Sequence, residues 1–293
     1  MFEKILTATD MLDACDAAVI TALEIAKQNQ GKLFVLHVLE PSYFHECGPV
    51  ETVRDFKTGE ETSATKEYRE KVKEELDKKC AGALKPHGNY QIDIAYGRPS
   101  IEIRRWARKF NADLIVLGAH AGKAEEGLIG TTIGNTVEDV IMHSTSPVII
   151  VNRLIPKERL NFKKIMVCID FSKSCKHACV FAAKLSQKYG SKLLLFHMSS
   201  RGVSEKETGE KIRKFCGMPE DSGHEYSIWQ GTEPYLEILK YAREKDADLI
   251  VMGSHTKETG ERPYVGSAVE NVSVQSNCPV IIVTHPETLF KIN

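Results

Sequence analysis

Two aspartates, Asp10 and Asp170, each follow a short apolar run, and two glycines, Gly118 and Gly253, each close another. A carboxylate beside a tight turn at a strand end can accept hydrogen bonds from a ribose hydroxyl or an aromatic amine. After Gly118 and Gly253 a glycine-bearing loop leads to helical patterns that begin at Asn135 and Ser267. Loop N–H groups and an open helix start together suit an anion such as a di- or triphosphate. Val38 and Met198 end a third apolar run in each half, where main-chain groups could meet a flat base. Plainer roles compete with all of these. An aspartate opening a helix is a common cap, and an apolar strand end is commonly core.

The candidates come in pairs because the chain is duplicated. Lys4, Ile5, Asp10, Ala18, Leu33 and His37 recur 160 positions later as Lys164, Ile165, Asp170, Ala178, Leu193 and His197. Further on the offset falls to 135, pairing Glu102, Asp113 and Gly118 with Glu237, Asp248 and Gly253, so the first copy carries extra residues between His37 and Gly97. It falls again to 132 for Gly134, Glu138 and Pro147 against Gly266, Glu270 and Pro279, which lengthens the first glycine loop by three. A chain of 293 residues accommodates two domains of this kind. The pattern predicts a first domain over 1–153, a linker over 154–162 and a second domain over 163–293.

Each copy reads as alternating strand and helix. The runs KILTAT, KLFVLHV, DLIVLG and PVIIV have the continuous apolar character of parallel strands buried on both faces. Helical stretches are expected over 13–28, 60–84, 100–110 and 135–144, and again over 174–189, 205–216, 234–245 and 267–276. Right-handed crossovers then give an α/β fold of two tandem doubly wound sheets. Ligands in such sheets sit beyond the carboxyl ends of the strands at the switch point. The first, second and fourth strands of each copy are therefore the places to search. The two PVIIV segments would be apolar edge strands in need of cover, which pairing within the chain or with a second chain would supply. The insertion over 43–59 reads either as a lid over the strand ends or as a loop without order.

Composition narrows the class. The chain is 42% hydrophobic and 27% charged with a formal net charge of -1, and it has no apolar run of membrane-spanning length. The halves differ modestly: Lys and Arg number 18 against 23 Asp and Glu up to Asn152, and 21 against 17 from Arg153. That is no nucleic-acid footprint. Without a basic-then-apolar leader at the N-terminus, a cytoplasmic location is expected.

The 8 cysteines lack the paired short spacings of a zinc ribbon or redox motif and read as reduced packing thiols. Cys175 and Cys179 flank His177 one helical turn apart, which core packing explains without a metal. His45 and Cys47 offer no four-ligand site either. No nucleophile elbow, metal-binding His pair or Walker lysine is present, and no catalytic residue is assigned. His120 and His255 follow the fourth strand as loop-closing residues or as an acid or base. Lys123 and Lys257 follow them as loop lysines, either solvated or neutralising a phosphate.

The segments ATD, VLHV, LIVMGSH, VGSAVENV and CPVIIV resemble the universal stress proteins, and the resemblance spans essentially the whole chain. It implies five parallel strands per copy in the order 3-2-1-4-5, with the last strand commonly used for pairing domains. It also implies an adenine nucleotide, ATP, ADP or AMP, in a subset of members, with Mg brought by the nucleotide alone. Nucleotide-binding members carry Gly-x2-Gly-x9-Gly-Ser/Thr in this loop and an aspartate after the first strand. The second copy keeps that spacing in Gly253, Thr256, Gly266 and Ser267, but Thr256 replaces a glycine, and a Cβ disfavours a left-handed backbone there. In the first copy Gly134 and Asn135 take the last two places. Gly122 is available for the displaced second glycine, while Gly130 with Thr131 could form the phosphate turn instead. The implied function is a cytosolic adenine-nucleotide-binding protein with hydrolysis at most weak. The other reading is a scaffold or dimerisation module that no longer binds nucleotide and acts through protein partners. The resemblance favours either a homodimer or a pseudo-dimer within the chain.

Overall fold

The computed structural model describes residues 1–11, 13–42, 51–55, 57–120, 133–199, 203–217, 224–254 and 265–284. The first copy runs β1 (Lys4–Ala8), α1 (Asp13–Asn29), β2 (Lys32–Leu39), β3 (Thr52–Arg54), β4 (Glu61–Ser63), α2 (Lys66–Leu84), β5 (Tyr90–Tyr96), α3 (Pro99–Phe110), β6 (Leu114–Gly118), α4 (Asn135–His143) and β7 (Val148–Val151). A 3-10 helix over Lys157–Asn161 leads to β8 (Lys164–Ile169), α5 (Lys173–Tyr189), β9 (Lys192–Met198), α6 (Glu205–Cys216), β10 (His224–Trp229), α7 (Pro234–Glu244), β11 (Leu249–Gly253), α8 (Ser267–Gln275) and β12 (Val280–Val283).

Ten strands form one sheet in the order β10-β9-β8-β11-β12-β7-β6-β1-β2-β5. Within each copy all pairings of this sheet are parallel and follow the order 3-2-1-4-5. The copies join where β12 meets β7 antiparallel, with Val280 opposite Ile150 and Ile282 opposite Val148. Every residue of these two strands is buried, so the apolar edges cover each other. The antiparallel join also turns the carboxyl ends of the two sets of strands toward opposite ends of the sheet.

Each sheet face carries its own core. Phe2, Leu23, Val35, Leu76, Phe181 and Ile281 belong to one cluster, under α1, α2, α5 and α6. Leu6, Trp106, Val140, Tyr241, Val272 and Ile282 belong to the other, under α3, α4, α7 and α8. Successive strand residues alternate between the clusters, as Leu33 and Phe34 do, because strand side chains point to opposite faces in turn. Among the described residues no helix is long and apolar enough to cross a membrane.

Two segments differ from expectation. The stretch read as a linker is packed, since Leu160 and Phe162 are fully buried and Arg159 donates to the Ala247 carbonyl at 3.1 Å. The helix expected from residue 60 begins only at Lys66, where Thr65 caps it by accepting from the Tyr68 N–H at 3.1 Å. The preceding residues form a hairpin instead, with Thr52 opposite Ser63 and Arg54 opposite Glu61. Val53 anchors this hairpin in the core with no exposed surface. The β-branched and threonine-rich character of 52–54 and 61–63 suits strands, which the charged residues around them obscured.

Candidate functional site

The order β2-β1-β6 brings three strand ends side by side, and a cavity of about 570 Å³ opens beyond them. That volume lies within the ~300–1,000 Å³ typical of small-molecule sites. Asp10, Val38, Gly118, Gly134 and Asn135, all singled out in the sequence, line it together.

The floor is fixed by main-chain bonds. Thr9 N donates to the Leu36 carbonyl at 3.0 Å, extending the ladder one step past β1. Met11 then takes a left-handed conformation, φ 65°, with its N–H on the Thr9 hydroxyl at 2.9 Å. His37, 4% exposed, sets its Nδ1 2.8 Å from the Thr9 carbonyl. A carbonyl only accepts, so Nδ1 carries the proton and donates. Burial pushes the His37 pKa down against the opposing pull of Thr9 and Asp10, which keeps the ring neutral at neutral pH. Burial likewise lowers the pKa of His120, at the other side of the cavity.

The opposite wall is the start of α4. Gly134 N donates to the Ala119 carbonyl at 3.0 Å, which ties the helix start to the end of β6. Gly134 is the helix cap, with φ -69° and ψ 149°, and no side chain caps the first turn. Asn135, Thr136 and Val137 thus bring the positive end of the helix to the cavity. Any residue tolerates that backbone, and a Cβ at Gly134 would find only the Ala119 carbonyl at 3.9 Å among the described residues. Packing does not require glycine there. Its missing side chain keeps the cavity wall low.

The second copy repeats much of this arrangement. Phe171 repeats the left-handed turn of Met11 with φ 64°. His197 repeats the histidine bond, 2.8 Å from the Ile169 carbonyl. The Asp170 carboxylate accepts from the Ser172 N–H at 2.9 Å, closing the turn that precedes α5. A Cβ at Gly253 would lie 2.6 Å from the Cys175 N, so close packing on α5 accounts for that glycine. The Phe171 ring meets His197 at 4.8 Å and Phe215 at 5.2 Å, where Met11 stands in the first copy. Met198 ends β9 beside Trp229. Gly266 is the uncapped start of α8, with Ser267 next, and its N–H reaches the Ser254 carbonyl at 3.2 Å. Gly122, Gly130, Lys123, Thr256, His255 and Lys257 lie outside the described residues, as do His45 and Cys47.

Several lining residues were not foreseen. Pro99 and Ile103 bring the start of α3, after the third strand of the copy, into the wall, and Glu40, Arg54 and Asp55 come from the β2 end and the hairpin. Pro99 after Gly97 was a legible helix start; only the sheet order shows that it opens onto the same edge. Cys175 and Cys179 lie away from this cavity. Both are buried in the core, with the Cys179 and Cys216 sulfurs 3.2 Å apart.

The sequence pattern of the universal stress protein family matches residues 1–152, 161–213 and 223–284. A universal stress protein of Methanocaldococcus jannaschii is 30% identical over 156 residues, which cover 47% of this chain and 91% of that protein. The crystal structure of a universal stress protein from Archaeoglobus fulgidus aligns with a TM-score of 0.69 at 22% identity, over 96% of each chain. A functionally unknown protein from Pseudomonas aeruginosa aligns at 0.64 with 14% identity, over 99% of this chain and 95% of its own. At these identities the structural likeness speaks for the fold. The sequence match along both copies carries the assignment: the chain belongs to the universal stress protein family.

Proposed function

We propose that the chain binds an adenine nucleotide in the first-copy cavity, the nucleoside toward Asp10 and the Val38 main chain and the phosphates toward the start of α4. The observation that carries this reading is the convergence of a carboxylate acceptor and an uncapped helix start on one cavity of about 570 Å³. A carboxylate suits an amine or ribose hydroxyl, and a helix start suits phosphate. Gly134 leaves room for close approach, and Mg would arrive with the phosphates. The reading is one of binding, with hydrolysis slow or incidental, in a cytosolic protein.

The second copy, by contrast, serves as a structural partner. The Phe171 ring packed on His197 and Phe215, where Met11 stands in the first copy, favours this role. It keeps part of the scaffold reading, with domains over 1–153 and 163–293 joined through β7 and β12 as a pseudo-dimer. Association of two whole chains would be a further step.

Calorimetric titration of ATP, ADP and AMP into the nucleotide-stripped protein tests the proposal. Binding is expected below millimolar concentration. Absence of heat from all three at millimolar nucleotide would leave the scaffold reading for the whole chain.

A further inference from the structure

The first copy's insertion does more than lengthen a connection. It crosses the end of β2 as a hairpin held at both ends. Arg54 N donates to the Glu40 carbonyl at 3.1 Å and Ser42 N to the Thr52 carbonyl at 3.2 Å, while Pro41 bridges Val53. Asp55 fastens the turn, accepting from the Lys57 and Thr58 amides at 2.8 and 2.9 Å and from the Tyr68 hydroxyl of α2 at 2.9 Å. Burial would raise the Asp55 pKa, but these bonds outweigh it and hold the carboxyl below its usual range. Lys57 adds an ion pair to Glu75 of α2 at 2.5 Å.

This anchoring fixes where Arg54 stands. Strand alternation sends Val53 into the core and Arg54 to the opposite face, where it lines the cavity. It sits beside Glu40, two residues beyond Val38, and so at the nucleoside end, away from α4. Its cross-strand neighbour is Glu61, yet among the described residues no carboxylate forms an ion pair with it. Asp55 is engaged in the turn, and His37 is kept neutral by burial. A planar guanidinium at the edge of a slot for a flat base stacks on the ring face and donates to ring nitrogens.

We infer that the β3–β4 hairpin is a fixed wall of the first-copy site and that Arg54 is its base-recognising residue, closing over a purine from the β2 side. The inference rests on the nucleotide reading above and extends it to a part of the chain that has no counterpart in the second copy. Because contact is with the base, Arg54 acts on nucleoside and nucleotide alike.

The test is calorimetric titration of adenosine and ATP into the full chain and its Arg54→Ala and Arg54→Lys variants, with thermal melting as a fold control. Both variants are expected to melt like the wild type, since Arg54 is exposed. Arg54→Ala should weaken adenosine and ATP by the same factor, about fivefold to tenfold, and Arg54→Lys should restore only part of it because the planar group is lost. Unchanged affinity in both variants, or a loss confined to ATP, overturns the base-recognising role while the nucleotide reading stands. If neither ligand binds the wild-type chain, the nucleotide reading falls and the role of Arg54 with it.

Discussion

The two strand-end sites begin from nearly the same residues and diverge in what those residues hold. In the first copy Asp10 lines a cavity, Gly134 leaves a helix start open and the hairpin adds a wall. In the second copy Phe171 fills the place of Met11 against His197 and Phe215, and no strand stands between β9 and α6 among the described residues. Duplication therefore conserves the backbone device, a left-handed turn followed by a helix, more faithfully than the use of its side chains. The antiparallel join of β7 and β12 sets the two sites at opposite ends of the sheet, so each can change without the other.

The comparison breaks most visibly at the glycines. Gly253→Val should destabilise the fold by about 3 kcal/mol, because its Cβ meets the Cys175 N at 2.6 Å and backbone cannot yield as a side chain can. Thermal and urea unfolding would read this, and a loss below about 0.5 kcal/mol would mean that packing does not explain the glycine. Gly134→Val should leave stability within about 1 kcal/mol and lower nucleotide affinity at least about tenfold, by raising the cavity wall. The reverse pattern, an unfolded protein or unchanged binding, would remove Gly134 from the phosphate end.

The aspartates sharpen the contrast. Asp170→Ala should cost about 1 kcal/mol of stability through the lost turn bond and leave nucleotide affinity unchanged. Asp10→Ala should weaken nucleotide by about tenfold to a hundredfold, the size of a lost hydrogen bond to a charged acceptor. A binding loss in the Asp170 variant instead would shift the site to the second copy.

The smallest effect concerns pH. Burial lowers the folded pKa of His37, so the unfolded chain binds a proton first as pH falls through the ordinary histidine range near 6.5. Stability from this group is therefore complete above about pH 7 and declines below it, until the folded pKa is also passed. His37→Gln should flatten the stability profile between about pH 7 and 5, measured by urea unfolding at each pH. An unaltered slope would mean that the buried ring is not the group responsible.

The strand-helix alternation and the duplication were plain in the sequence, because runs such as DLIVLG and PVIIV record burial on both faces, whereas the strand order came only from the resemblance to the universal stress proteins. It also brought forward five residues that share the cavity, since Asp10, Val38, Gly118, Gly134 and Asn135 all end strands or open a helix. The hairpin stayed hidden. Its strands are three residues each and lie among charges, and Val53 is the one residue whose burial betrays them. Arg54 was illegible for the same reason, as an arginine in a charged insertion gives no sign of the cavity it faces. The packing reason for Gly253 could not be read either, because close approach by α5 is a tertiary fact.

Equilibrium dialysis of the nucleotide-stripped chain against radiolabelled ATP is expected to count one site per chain, weakened by Asp10→Ala and retained in Asp170→Ala. Two equal sites per chain, or a single site weakened only by Asp170→Ala, would contradict a single site in the first copy.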